Sequence, residues 1–149
     1  MSNLPKSSTE TLALSENALT GEIPTGLFAL GSIKQLLANE NQNITGTIPT
    51  VIGQAVQLER LRLGHTEMGG LLPDEFFDCT ALKEVGIQNA NFFGTMEADQ
   101  WRRFTNIEDI DLSYNDFSGR LPTEVFVEFA GIGKSCLHFY IISRGLLSN

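Results

Sequence analysis

Apolar side chains recur along this chain in a fixed register. An alternating apolar–polar core appears as Leu12 and Leu14, then Leu36 and Ala38, Leu61 and Leu63, Val85 and Ile87, and Ile110 and Leu112. Alternation with period two over so few residues is the pattern of a short strand buried on one face. Three residues upstream of each core lies another position, held by Thr9, Ile33, Leu58, Leu82 and Ile107. Downstream come Asn17, Asn41, Thr66, Ala90 or Asn115, followed by Leu19, Ile44, Met68, Phe92 or Phe117, with one extra residue before Ile44. A tetrapeptide then closes each unit: Gly21-Glu22-Ile23-Pro24, Gly46-Thr47-Ile48-Pro49, Gly70-Leu71-Leu72-Pro73, the degraded Gly94-Thr95-Met96-Glu97, and Gly119-Arg120-Leu121-Pro122. The glycines of these five copies are 25, 24, 24 and 25 residues apart. Agreement of that kind marks an array of repeats.

A strand this short is not stable alone. Stacking the copies in parallel pairs each backbone with its neighbours and buries one continuous apolar column. The spacing predicts five coils, 9–32, 33–57, 58–81, 82–106 and 107–131, after an N-terminal flank, 1–8. The side chain at Asn17, Asn41 and Asn115 is suited to turn the chain and bond the backbone of an adjacent coil. Thr66 does this less well and Ala90 not at all, so the ladder is expected to be weakest around the fourth coil. The proline after the glycine fixes φ and removes a donor, favouring an extended exit from the strand. Seven residues beyond each glycine stand Phe28, Gly53, Phe77, Trp101 and Phe126, which predicts a stacked aromatic spine. The competing reading of Trp101 is a ring that stacks on a ligand. Residues 132–149 are read as a degenerate terminal coil or a tail. Forced into the frame, that segment places Ile132, Ser135 and Leu137 at the apolar positions and turns Phe139 outward.

The consensus in Asn17-Ala18-Leu19-Thr20-Gly21-Glu22-Ile23-Pro24 and Asn115-Asp116-Phe117-Ser118-Gly119-Arg120-Leu121-Pro122 resembles the plant-type leucine-rich repeat. Similar repeats build the ectodomains of plant receptor-like kinases and receptor-like proteins, and the polygalacturonase inhibitors. The resemblance covers roughly residues 9 to 130. It implies a β-rich α/β solenoid, a right-handed superhelix with short parallel strands on a concave face and 3₁₀ or short helical segments on the convex side. It also implies a cell-surface or extracellular setting and a concave face that binds proteins or peptides. Departures are Glu97 in place of proline, the two copies without asparagine, and the lack of a recognisable N-terminal cap.

Charge narrows the partner. With 10 basic and 18 acidic residues, a formal charge of −8 argues against nucleic acid or an anionic membrane surface. No apolar stretch approaches the length needed to insert in a bilayer. The outward strand positions and their flanks collect ten acids against Lys34, Arg60, Arg62 and Lys83. The candidate ligand-binding residues on this face are Arg62, His65, Glu67, Lys83, Glu84, Gln88, Glu108, Asp111 and Tyr114. The reading is a non-catalytic module that takes a protein or peptide, with a basic segment as the complementary partner. The alternatives are a hydrolase inhibitor, an intracellular scaffold, or a structural spacer whose acidic surface only maintains solubility.

Catalytic signals are weak. Two histidines, His65 and His138, and two cysteines, Cys79 and Cys136, form no set at metal-ligand spacing. His65, Glu67 and Arg62 resemble an acid–base cluster only as any polar strand surface does. Gly131-Ile132-Gly133-Lys134-Ser135 lacks the first glycine of a phosphate loop, since Glu128 stands there. No cofactor is implied. Cys79, inside Phe76-Phe77-Asp78-Cys79-Thr80-Ala81-Leu82, reads as a buried free thiol. Asn43-Ile44-Thr45 is a glycosylation sequon, placed by the pattern in the turn after the second strand.

Overall fold

The computed structural model describes residues 9–29, 31–119 and, for the backbone, 138–140. Every period-two core forms a strand: β1 (Thr11–Ala13), β3 (Gln35–Leu37), β5 (Arg60–Arg62), β7 (Glu84–Gly86) and β9 (Asp109–Asp111). With β11 (His138–Tyr140) they make one six-stranded parallel sheet in sequence order, the broad sheet. The register aligns Leu12, Leu36, Leu61, Val85 and Ile110 across it. Leu36, Leu61 and Ile110 are fully buried, as are Leu58, Leu63, Leu82, Ile87, Ile107 and Leu112. Leu12 and Leu14 are only partly buried, because among the described residues no coil covers them from the N-terminal side. Apolar side chains two dozen residues apart therefore share one elongated core.

A second set of strands follows the first: β2 (Thr20–Glu22), β4 (Asn43–Thr45), β6 (Gly69–Gly70), β8 (Asn91–Thr95) and β10 (Asp116–Ser118). They form two lateral sheets, β2-β4 and β6-β8-β10. Glycine is required here for two reasons. Gly46, Gly70 and Gly94 have φ of 90°, 93° and 115°, values that L side chains avoid. A Cβ on Gly46 or Gly94 would also lie 2.8 Å from Glu22 or 2.7 Å from Leu71 of the coil before. The remaining side of each coil is short and helical: α1 (Gly26–Ala29), 3₁₀ turns at Thr50–Gln54 and Asp74–Asp78, and α2 (Ala98–Trp101). The chain is thus the expected β-rich solenoid.

The aromatic spine is buried on this helical side. Phe28, Phe77 and Trp101 are at most 2% exposed, which rules out Trp101 as a surface stacking residue; Phe126 lies outside the described residues. Phe77 and Trp101 meet edge to face at 5.4 Å. Two rings missing from the expected column complete the cluster: Phe76 packs on Phe77 at 5.2 Å, and Phe104 on Trp101 at 5.8 Å. Cys79 is buried, as expected, and its thiol is pushed up to about 12, chiefly by burial. Its Sγ–H donates to Ile52 O.

The polar ladder departs from expectation. Asn41 and Asn115 each serve the preceding coil: Asn115 Nδ2 donates to Ile87 O at 2.8 Å, and its Oδ1 accepts from Phe92 N at 3.0 Å. By the same logic Ala90 should have served the third coil, at Leu63 O and Met68 N. Thr66 makes both bonds from inside that coil, donating to Leu63 O at 2.8 Å and accepting from Met68 N at 3.3 Å. The gap at Ala90 is filled by its neighbour. Thr66→Ala should therefore cost about 1–3 kcal/mol, the range for orphaning buried backbone groups, and Ala90→Asn should restore most of it. Urea unfolding of the single and double variants checks this, and no rescue by Ala90→Asn would refute it.

The terminal frame also needs correction. Strand β11 does extend the broad sheet, but it sets Phe139 opposite Ile110. The forced frame had put Ser135 at that position, four residues earlier. The step from β9 to β11 is 29 residues rather than 24 or 25, as the pairs His138↔Asp109, Glu84↔Asp109 and Arg60↔Glu84 show. A sequence frame of constant period cannot see a change in that step.

Candidate functional site

The outward-facing positions of the broad sheet stack into columns of polar side chains. The column at the foot of the strands alternates in sign: Glu10, Lys34, Glu59, Lys83, Glu108. Lys34 Nζ lies 3.0 Å from Glu10 and Lys83 Nζ 2.7 Å from Glu59. The Lys83 ammonium, through its hydrogen bond, holds the Glu59 carboxyl below its ordinary value, and Glu59 raises Lys83 in return. Arg60 reaches Glu84 at 3.1 Å, and Arg62 pairs with the same carboxylate. The four bases counted on this face are therefore spent on Glu10, Glu59 and Glu84.

That pairing divides the candidate residues. Arg62, Lys83 and Glu84 neutralise one another or a neighbour. Glu108 is exposed and has no ion pair among the described residues, and Asp111 accepts from Ser113 Oγ at 2.6 Å. Gln88 lies over glycine: a Cβ on Gly64 would come within 2.4 Å of its Oε1, which is buried without a hydrogen-bond partner. His65 and Tyr114 belong to a column one residue further on, Glu16, Glu40, His65, Asn89 and Tyr114, all left-handed with φ from 50° to 58°. Such a backbone costs a non-glycine residue about 1–2 kcal/mol. At Glu16, Glu40, His65 and Asn89 it is held because the N–H bonds the next coil, as from His65 N to Gln88 O at 2.9 Å and from Asn89 N to Ser113 O at 2.8 Å.

Beside this column, between the broad sheet and the lateral sheet, runs a groove of about 840 Å³. It takes in His65, Glu67 and Tyr114 from the candidate set, but not Arg62, Lys83, Glu84, Gln88, Glu108 or Asp111. Asn89 Nδ2 donates to His65 Nδ1 at 2.9 Å, and His65 Nε2 is 3.5 Å from Glu40. Sequence reasoning missed Phe93, which lines the groove and is 48% exposed. The signal was present: in a strand where Phe92 faces the core, Phe93 must face away. The sequon asparagine, Asn43, is exposed but lies in strand β4 rather than in a turn. Among the described residues no group of three or more His, Cys, Asp or Glu could hold a metal ion, and no helix is long and apolar enough to cross a membrane.

Comparison with known proteins agrees with this architecture. Residues 106–126 match the family described as Leucine Rich Repeat. Receptor-like protein 34 of Arabidopsis thaliana is 31% identical over 130 residues, 87% of this chain and 13% of that protein. The ectodomain of the receptor kinase SOBIR1 from Arabidopsis thaliana superposes with a TM-score of 0.78 at 26% identity, covering 90% of this chain and 68% of that one. The plant peptide hormone receptor RGFR1, in complex with RGF2, superposes with a TM-score of 0.73 at 26% identity, covering 87% and 20%. The chain is a leucine-rich-repeat solenoid, similar to the plant receptor-like proteins. It spans 13–18% of the length of the curated receptor-like proteins that it matches.

Proposed function

We propose that this chain is a non-catalytic recognition segment of a receptor-like, cell-surface protein, and that it binds a peptide or protein bearing a basic segment. The observation that carries the reading is the exhaustion of the bases on the broad sheet. Lys34, Arg60, Arg62 and Lys83 are all engaged with acids, so among the described residues Glu108 and Asp111, toward the fifth coil, are left without a basic partner. The likeness to RGFR1, itself solved with a peptide, supports a peptide as the partner class. Complementary charge sets encounter rate and register more than raw affinity.

A random dodecamer peptide library displayed on phage, selected on the full 149-residue chain, tests this. The recovered peptides should be enriched in Lys and Arg. Glu108→Lys with Asp111→Lys should weaken them by roughly tenfold or more, since reversing two partly exposed charges is worth about 1–2 kcal/mol. Glu84 is left intact because it anchors both arginines. A library that yields no peptide sensitive to charge would refute the acidic-face reading and leave a spacer or scaffold role.

A further inference from the structure

We propose that the groove between the broad and lateral sheets is a subsite for an arginine side chain carried by an extended peptide. This rests on the peptide-binding reading above and assigns part of that recognition to a specific place and residue type. Three observations converge on it. The groove has a volume of about 840 Å³ and runs from Gln42 of the second coil to Asp116 of the fifth. Two aromatic residues border it in the open, Phe93 at 48% and Tyr114 at 62% exposure, in a chain that otherwise buries nearly every described ring. Two carboxylates border it as well, Glu67 and Asp116, both exposed and without an ion pair among the described residues.

Those two kinds of group select the same ligand. An aromatic face attracts a cation, and a guanidinium, being flat and weakly hydrated, stacks on it better than an ammonium. A carboxylate takes the guanidinium fork through two parallel N–H bonds, which an ammonium cannot match. An apolar side chain would leave Glu67 and Asp116 unanswered, and an acidic one would be repelled by both. The groove is also held in shape. His65 has Asn89 on one ring nitrogen and Glu40 near the other, and the left-handed backbone at His65 and Asn89 is fixed by bonds to the next coil. Residues kept in such conformations by their surroundings recur at binding sites. An extended segment would lie across the coils along the groove, with its arginine against the Phe93 and Tyr114 rings.

The same phage-displayed dodecamer library separates this proposal from the broader one. Peptides selected on the wild-type chain should share an arginine whose change to lysine weakens binding roughly tenfold. Phe93→Ser, and separately Glu67→Gln with Asp116→Asn, should weaken the same peptides by a similar factor. The carboxamide pair is nearly isosteric and exposed, so it keeps the test sound if Phe93→Ser lowers stability, which circular dichroism would report. Peptides that tolerate lysine equally, or that ignore both groove variants, overturn the arginine subsite. If those peptides still respond to Glu108→Lys with Asp111→Lys, the acidic-face reading survives the loss. If no peptide is recovered, both fail.

Discussion

Replacing Trp101 by alanine is expected to lower the unfolding free energy by about 3–5 kcal/mol, the range for removing a buried large aromatic. Trp101 is 1% exposed and meets Phe77 and Phe104 edge to face. Truncation would therefore open a void where the helical segments of the third and fourth coils meet. Trp101→Phe should recover much of the loss, because it keeps a ring against both neighbours. Urea unfolding followed by circular dichroism gives the measurement, since the change removes the chain's only indole. An alanine variant within about 1 kcal/mol of the wild type would mean that the spine is not a load shared between coils. In a stacked array the loss should also reduce cooperativity, because each coil is stabilised mainly by its neighbours.

Asn115→Ala is the second large effect, at about 2–4 kcal/mol. The residue is 3% exposed. Its amide donates to Ile87 O, Leu112 O and Ser113 O, and its carbonyl accepts from Phe92 N. Alanine would leave several of these backbone groups buried and unpaired, at about 1–3 kcal/mol for each one that water cannot reach. Asn17, at the same place in the first coil, bonds Leu14 O and Ser15 O but is exposed. Asn17→Ala should thus cost under about 1 kcal/mol, because water can replace what is lost. Equal effects of the two substitutions in urea denaturation would contradict a ladder that works by serving the buried backbone of the coil before.

Thr66 and Ala90 show how far a one-coil reading reaches. Both were legible as departures from the asparagine rule. That they compensate was not, because an asparagine's partners lie on the previous coil, and the consequence of Ala90 therefore falls on Leu63 and Met68. The aromatic spine was half visible for a similar reason. Its expected column used an offset counted from the glycine, and this found Phe77 and Trp101. Phe104 keeps a different offset, three residues before the next coil's first apolar position, as Ala55 and Cys79 do before Leu58 and Leu82. Counting in both directions would have found it.

The candidate surface was legible as a set of positions but not as a set of free groups. Listing Arg62, Lys83 and Glu84 beside Glu108 treats all charges alike. In the folded chain Glu84 answers two arginines and Glu59 answers Lys83, so those acids are largely withdrawn from the field that a partner meets.

Sequence alone determined the repeat period, the strand positions, the buried face and the solenoid, because all four follow from apolar residues recurring at constant intervals. Tertiary structure decided which charges cancel, how the missing asparagine is replaced, where the last strand aligns and where a groove opens. Each of these depends on which side chains from different coils come within reach, and a coil's neighbours are two dozen residues away along the chain.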